Sequence, residues 1–508
     1  MLLTFLALLL TAITAGQTDH TGTRLAGIDL GPYAVGFEVS ITRDPTRRIN
    51  ATDAGTDVAL AMWYPAAKDE RGGDAMTALD YRLLELGSEV TQADRRRYAQ
   101  DEAALAVAVR HIGIVPLTQA QALASLDTAG IGRRGLTRAT GRFPLVLVFG
   151  GPYYLSSTAE MLASHGFAVA APFRFKTQSN EIGSDDFTWS VENSVRDGEW
   201  AWNELRRMYD VDAAQVSVLG HGGGGLQSLL FAMRNIGVAA IANIDAGNFS
   251  TRTEAARVPF YRPRLLRSPY LYVATAETRK AQDQFEDFLG MPFSRRFELT
   301  LQASGIRHHD LSDIGRAVTE PLRLRGDARA AAQAGYAAVQ GTLVRFFQAA
   351  DAGEDGLRAF EGWVTDTTRA SDVYTVTVHP ATTPAPTLQA VLTTLGSGTA
   401  TMLREAHRRD PMGSVFSAES LEEIAARDLT QRQFAVALDV IAFARALHAD
   451  ARGLLLLESE ALESTGDRVK AAESVSTCVA GPEPRTWNDG AALARCRERL
   501  QRLRDRLP

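Results

Sequence analysis

A glycine turn, a carboxylate and a histidine follow one another in an order that could support acyl transfer. The turn is "GHGGGG" at 220–225, between the apolar run "QVSVL" and the helical pattern "LQSLLFAMRN". Asp245 ends the next apolar run, and His308 opens the later segment "HHDLSD". In one class of acyl-transfer sites a nucleophile on a strand-to-helix turn comes first, then an acid, then a histidine. The order therefore predicts a hydrolytic type of site, with Gly222 where the nucleophile would stand.

The same turn also fits a phosphate-binding pattern. Gly220, Gly222 and Gly225 match G-x-G-x-x-G, which cradles the pyrophosphate of a dinucleotide, and Asp245 lies where an acid would bind the ribose. Such a turn usually opens its domain, whereas here a β-α-β unit precedes it. Dinucleotide binding is therefore kept as the weaker interpretation.

Alternating apolar strands and amphipathic helices predict a doubly wound, mostly parallel α/β sheet from about 24 to 350. The clearest unit is "FPLVLVFGG", a helical segment that ends at Gly166, and "FAVAAP". Continuous apolar runs of this kind suit parallel strands that are covered on both faces. Strands near 57–69 and 268–277 and a helix near 329–349 extend the pattern.

Beyond this domain the composition changes. The Thr- and Pro-rich stretch at 351–387 is interpreted as a linker. From 388 to 508 only helical periodicity remains, and aligning 434–446 with 468–480 pairs Ala437 with Ala471 and Ile441 with Val475. That spacing is the tetratricopeptide period. We expect an all-α domain of tetratricopeptide-like hairpins there, with an unrelated helical bundle as the alternative.

The composition limits the partners and the compartment. A net charge of −6 over 508 residues gives no electrostatic case for nucleic acid. Residues 1–16 are interpreted as a signal peptide, since their apolar core is too short to span a bilayer, so we expect a secreted or periplasmic protein without an integral membrane segment after cleavage. In an exported chain Cys478 and Cys496 could form a disulfide, although two buried thiols are the alternative.

The sequence resembles α/β-hydrolases of the platelet-activating-factor acetylhydrolase and dienelactone hydrolase type over about 26–345. The resemblance rests on short motifs that occur in the same order: "WYPA" at 63–66, "FPLVLVFGG" at 143–151, "LASHGFAVAAP" at 162–172, "GHGGGG" and "HHDLSD". It implies that His308 is the base, that Asp245 orients it and that Gly222 occupies the position of the nucleophilic serine. It also implies that the backbone N–H groups of Gly223 and Tyr153 are the oxyanion donors, and it implies no cofactor and no metal.

Two departures from that family concern the same pocket. Gly222 has no oxygen to activate, and the nearby Ser217 and Ser228 belong to the strand and to the helix interior. The family's Ser-His-Gly is "GGP" at 150–152, and Pro152 has no N–H to donate. A nucleophile turn also forces its central residue toward positive φ, which glycine tolerates.

We therefore expect a pseudohydrolase that binds a small ester-like or lipid-like ligand, or a protein or peptide through its C-terminal helices. The alternative is a carboxylic-ester or lactone hydrolase in which His308, held by Asp245, activates water.

Overall fold

The computed structural model describes the greater part of the chain, in two compact units. The first unit spans residues 1–285 and 293–380, and the second spans 286–292 and 381–508. The described residues are 24–25, 28–48, 54–67, 72–87, 91, 93, 97, 100, 127, 129–174, 187–208, 210–246, 258–281, 291–302, 306–313, 326–368, 373–379, 385–410, 414–481 and 487–505. The expected signal peptide at 1–16 lies outside them.

The first unit is built on one large sheet. A separate antiparallel pair consists of β1 (Arg24–Leu25) and β2 (Ile28–Asp29). The strands of the large sheet are β3 (Ala34–Asp44), β4 (Thr56–Ala66), β5 (Ala75–Thr77), β6 (Ala129–Arg134), β7 (Phe143–Phe149), β8 (Ala168–Phe173), β9 (Val211–His221), β10 (Val238–Ile244), β11 (Tyr270–Thr275), β12 (Arg296–Leu301) and β13 (Tyr374–His379). Their order is β13-β12-β11-β10-β9-β7-β8-β4-β3-β6-β5.

Six neighbouring strands, β8, β7, β9, β10, β11 and β12, run parallel to one another. Strands β7, β10 and β11 are buried along nearly their whole length, as expected when helices cover both faces. Antiparallel strands complete both sides: β4 pairs with β8 and β3, and β13 pairs with β12. The expected doubly wound, mostly parallel sheet of an α/β-hydrolase fold is confirmed.

The helices of the first unit connect these strands. They are α1 (Ala78–Leu83), α2 (Ser156–Ser164), α3 (Phe187–Leu205), α4 (Gly223–Arg234), α5 (Ala276–Ala281), α6 (Gly326–Asp351) and α7 (Gly353–Thr368). Helix α2 joins β7 to β8, and α4 joins β9 to β10, which gives the two β-α-β units expected from the apolar runs.

The segment at 351–387 is not a linker over most of its length. Helix α7 buries Phe360 and Val364 in the main core, and β13 lies antiparallel along β12. Both elements belong to the first unit, which extends to residue 380 rather than 350. The Thr residues of "YTVTVH" alternate with valines, and Val376 is buried, so the threonine content that suggested a linker is that of an edge strand.

The second unit contains helices only among its described residues. They are α8 (Leu388–Thr393), α9 (Thr399–Arg409), α10 (Ala418–Thr430), α11 (Phe434–Leu447), α12 (Arg452–Ser464), α13 (Arg468–Ala480) and α14 (Trp487–Arg504). Helices α10 and α12 begin at 418 and 452, and α11 and α13 begin at 434 and 468, so equivalent helices start 34 residues apart. The expected helical C-terminal domain is confirmed.

Buried positions in the second unit follow the sequence alignment. Ala437, Ile441, Ala471 and Val475 are all fully buried. A disulfide joins Cys478 to Cys496 and so ties α13 to α14. No helix within the described part of the chain is both long and apolar enough to cross a membrane.

Candidate functional site

The glycine turn is a sharp bend between β9 and α4. Gly222 has φ 55° and ψ −124°, so the positive φ expected there is observed. A Cβ on Gly220 would lie 2.4 Å from the carbonyl oxygen of Gly224, and one on Gly224 would lie 2.2 Å from that of Phe149. The outer glycines are thus required by close backbone approach, and the middle one by its conformation. These three positions have the G-x-G-x-G spacing of a nucleophile turn.

The acid position is occupied by a fully buried carboxylate directly after β10. Asp245 accepts hydrogen bonds from the Thr275 amide at 3.1 Å, the Thr278 hydroxyl at 3.0 Å and His308 Nδ1 at 2.8 Å. Its φ is 43°, a conformation that costs a non-glycine residue about 1–3 kcal/mol. All these contacts orient the carboxylate toward the imidazole, and its side chain is 0% exposed. This arrangement does not favour ribose binding by Asp245.

The base position lies in a short 3₁₀ turn at His308–Leu311, on the loop after β12. Because the carboxylate can only accept, His308 Nδ1 carries the hydrogen and Nε2 is the ring nitrogen directed at the glycine turn. Nε2 lies 3.1 Å, and Cε1 3.2 Å, from the place where a Cβ on Gly222 would stand. In an active site of this type Nε2 is 2.6–3.2 Å from the nucleophile oxygen itself. Here the imidazole has the same distance to the Cβ position, so it occupies part of the space that a serine side chain would need.

The two expected oxyanion residues are differently placed. Gly223 is the first residue of α4, is exposed, and would carry a Cβ into open space. Its amide therefore belongs to the N-terminal end of a 12-residue helix, where partial positive charge accumulates. Tyr153 lies in the loop between β7 and α2, and its ring is covered by the Arg82 guanidinium at 4.0 Å.

The hydroxyl groups nearest to the turn in sequence do not replace the serine. Ser228 is fully buried inside α4, and its hydroxyl oxygen lies 2.8 Å from the Gly225 carbonyl oxygen and 2.8 Å from Asn243 Oδ1. Ser217 is buried within β9 and precedes the turn by five residues. The structure thus brings together His308, Asp245 and Gly222, and residue 222 has no side-chain oxygen.

One neighbour of His308 was not foreseen from the sequence. The ring of His221 stacks on that of His308, with centroids 4.5 Å apart and an interplanar angle of 23°. His221 Nε2 also donates to the His308 carbonyl at 3.3 Å. His221 also stacks with Tyr154, with ring centroids 5.9 Å apart. Only the position of His221 inside "GHGGGG" could have marked it.

A second unforeseen residue ties the histidine loop to the loop before α2. Asp313 accepts hydrogen bonds from the Ser156 hydroxyl at 2.7 Å and the Ser157 amide at 2.8 Å. Its own amide donates to the Tyr154 carbonyl at 2.9 Å. Leu155, at the N-cap of α2, makes no side-chain cap. The last residue of "HHDLSD" therefore caps a helix that lies far away in sequence.

A buried carboxylate one turn further along α2 anchors the strand β6. Glu160 accepts from the Tyr81 hydroxyl at 2.7 Å and from the amides of Ile131 and Gly132 at 3.1 and 3.0 Å. Burial raises the pKa of Glu160 to about 7, although these three donors lower it and the charge of Asp313 raises it further. The group holds β6 against α2, beneath the loop that carries Tyr153.

Within the described ranges no group of three or more His, Cys, Asp or Glu side chains could hold a metal ion. The groups that the described residues bring to the site are the imidazole, the carboxylate that orients it and the backbone N–H groups of α4.

No protein-family model matches the chain, and no curated protein matches it. Among solved structures, a ferulic acid esterase from Streptomyces cinnamoneus is similar, with a TM-score of 0.44 and 18% identity. The match covers 64% of this chain and 92% of the esterase. A likeness of this size carries no argument about activity. What the chain contains is an α/β-hydrolase-type sheet followed by a helical region.

Proposed function

We propose that this protein is a pseudohydrolase, related to the acetylhydrolase and dienelactone hydrolase type, that binds an ester-like or lipid-like ligand without forming an acyl-enzyme. One observation carries the proposal. The residue at the bend of the turn is glycine, and the imidazole lies 3.1 Å from the position of the missing Cβ. No oxygen of residue 222 can attack a carbonyl, and the space for one is reduced.

The remainder of the site favours retention of a ligand pocket. Asp245 keeps a strained conformation and three donors, and His308 keeps the orientation that a base would need. Gly223 is exposed at the N-terminal end of α4, where its amide would donate to a carbonyl or carboxylate oxygen of the ligand. Strain of this kind persists only where surrounding contacts enforce it.

A second candidate function rests on the same pair of residues. His308, oriented by Asp245 at 2.8 Å, could take a proton from a water molecule that attacks an ester or lactone directly. Template enzymes that have lost their triad retain roughly 10³- to 10⁴-fold acceleration over water. Turnover by this route would therefore be slow and would depend on His308.

The proposal extends to the second unit and to the compartment. The 34-residue offset of equivalent helices supports tetratricopeptide-like hairpins in α10–α13, whose surface would bind a peptide or a protein. The apolar N-terminal segment supports export, and the Cys478–Cys496 disulfide suits a secreted or periplasmic protein.

The experiment is to restore the oxygen. Gly222→Ser is expected to gain labelling by a fluorophosphonate and turnover of p-nitrophenyl butyrate, because Asp245 already orients the base and the imidazole, 37% exposed, can shift to admit the side chain. Gly222→Ala controls for the added Cβ, and Gly222→Ser with His308→Ala controls for the base. Neither control should label. The wild type should not label, and its turnover should equal that of His308→Ala.

Two results would count against the proposal. Labelling of the wild-type chain would mean that another nucleophile serves the site. Clear wild-type turnover that disappears in His308→Ala, without labelling, would replace the pseudohydrolase by the water-activating hydrolase.

A further inference from the structure

Three loops of the first unit meet around a column of three rings. The column consists of Tyr154 from the loop after β7, His221 from the glycine turn and His308 from the loop after β12. The Tyr154 and His221 rings lie 5.9 Å apart at 30°, and the His221 and His308 rings lie 4.5 Å apart at 23°. His221 is the middle ring and is 5% exposed. The ring of His221 therefore connects the loop after β7, the glycine turn and the loop after β12.

Two hydrogen bonds to backbone carbonyls, one from a side chain and one from a backbone amide, further connect these residues. His221 Nε2 donates to the carbonyl of His308, so the same side chain touches both the ring and the backbone of the base. The Asp313 amide donates to the Tyr154 carbonyl, which brings the end of the base loop back to the first ring. The position of the imidazole is thus fixed by residues of the two other loops.

The need for such a contact follows from the geometry of the base. The hydrogen bond from His308 Nδ1 to Asp245 holds one edge of the imidazole and does not by itself fix the orientation of the ring plane. A glycine at 222 supplies no side chain to limit that orientation. An offset stacked ring does limit it, because the stack is favourable only while the planes stay nearly parallel.

We propose that His221 is a positioning residue that holds the plane of the His308 imidazole over the glycine turn. The inference rests on the proposed function only in that it takes His308 as the base of the site. His221 acts through His308 and has no separate chemical role. Its stacked ring is the feature that matters, and the hydrogen bond to the His308 carbonyl holds that ring in place.

The test uses the ¹H NMR spectrum of the full chain. The Nδ1–H proton of His308, shared with Asp245, should give a far-downfield signal that is absent from His308→Ala. His221→Phe keeps a ring of similar size and should keep this signal. His221→Leu keeps apolar volume without a ring, and should lose the signal through exchange with water while the circular dichroism spectrum stays unchanged.

A second ringless variant keeps the test decisive if His221→Leu does not fold. His221→Gln retains an N–H donor toward the His308 carbonyl but no ring, and it should also lose the signal. A wild-type signal in either folded ringless variant would overturn the proposal. Loss of the signal in folded His221→Phe, as complete as in the ringless variants, would overturn it as well.

Fluorophosphonate labelling of the Gly222→Ser variant provides a second, independent test of the role of His221. In Gly222→Ser, adding His221→Leu should slow fluorophosphonate labelling by about 10- to 100-fold, the usual effect of a misplaced catalytic group, while His221→Phe should slow it far less. Equal labelling rates in these two double variants would contradict the role of the ring. If Gly222→Ser itself does not label, the expectation that the acid and the base are already in place fails, and the wild-type NMR comparison still decides the role of His221.

Discussion

The conformation of the glycine turn can be tested by adding a single methyl group. Gly222→Ala introduces a Cβ without any new chemistry, so its effect reports only on backbone strain and on contact with the base. The structure predicts both effects, because Gly222 has φ 55° and its Cβ position lies 3.1 Å from His308 Nε2.

The expected cost has two parts. A non-glycine residue in this region of φ and ψ is destabilised by about 1–3 kcal/mol. The added methyl also approaches the imidazole more closely than the 3.5–4.0 Å of an ordinary carbon contact, and insertion into packed space typically costs about 1–3 kcal/mol. The imidazole is 37% exposed and can shift by a few tenths of an ångström. We therefore expect the contact between the methyl group and the imidazole to cost about 1 kcal/mol, the lower end of that range. We expect a total loss of about 2–4 kcal/mol.

The measurement is urea unfolding followed by tryptophan fluorescence. Of the six tryptophans, five lie between residues 63 and 363, so the signal reports mainly on the first unit. Gly223→Ala is the matched control, since Gly223 is helical and a Cβ there meets nothing within 4 Å. The control should be neutral or slightly stabilising, because alanine restricts the unfolded chain. Adding His308→Ala to Gly222→Ala should remove the contact part and leave the backbone part.

The reasoning would be refuted if Gly222→Ala were as stable as Gly223→Ala. Residue 222 would then not have the conformation of a nucleophile turn. If the losses of unfolding free energy in Gly222→Ala and His308→Ala were fully additive, the methyl group would not contact the imidazole. The imidazole would then lie further from the turn, and the argument about backbone strain would still stand.

Three more predictions concern groups around the site and in the helical unit. The folded form holds the proton of Glu160 more tightly than the unfolded form, so the unfolding free energy should fall by up to about 3 kcal/mol as the pH rises from about 4.5 to about 7. Glu160→Gln should remove this slope from urea titrations, and parallel profiles would contradict it. Asp313→Ala should cost about 1–3 kcal/mol in the same assay through the lost cap of α2, and a loss below about 0.5 would contradict that role. Cys478→Ala should destabilise the helical unit by about 3 kcal/mol, because the disulfide spans 18 residues, and unchanged hydrogen exchange in 452–505 would refute this.

The sequence carries information about the site where local patterns decide the backbone. A glycine-rich bend between an apolar strand and a helix has few solutions, so the conformation of Gly222 follows from nearby residues. The apolar runs around 143–173 and 215–244 are long and continuous enough to predict the parallel strands that lie beside one another. Asp245 could be nominated because it ends such a run, and His308 because "HHDLSD" resembles a family motif and follows in the expected order.

Other features depend on contacts between residues that are far apart in the chain, and no local pattern marks them. His221 meets His308 across 87 residues, and Asp313 meets Ser156 across 157. The role of Glu160 as an anchor for β6 depends equally on folding. Composition was misleading at 374–379, where threonine and valine alternate as an edge strand requires but the surrounding Thr and Pro residues suggested a linker.

The late position of β13 has a practical consequence for anyone who expresses the first unit by itself. A truncation at residue 350 would remove α7 and β13 and would leave the whole length of β12 without its antiparallel neighbour. Bare strand edges recruit other chains, so such a fragment should aggregate, and the strand it exposes directly precedes the loop of His308. Cutting the gene after codon 380 preserves the border of the sheet. The same applies during synthesis on the ribosome, because the sheet cannot be completed until β13, its last strand in chain order, has left the exit tunnel.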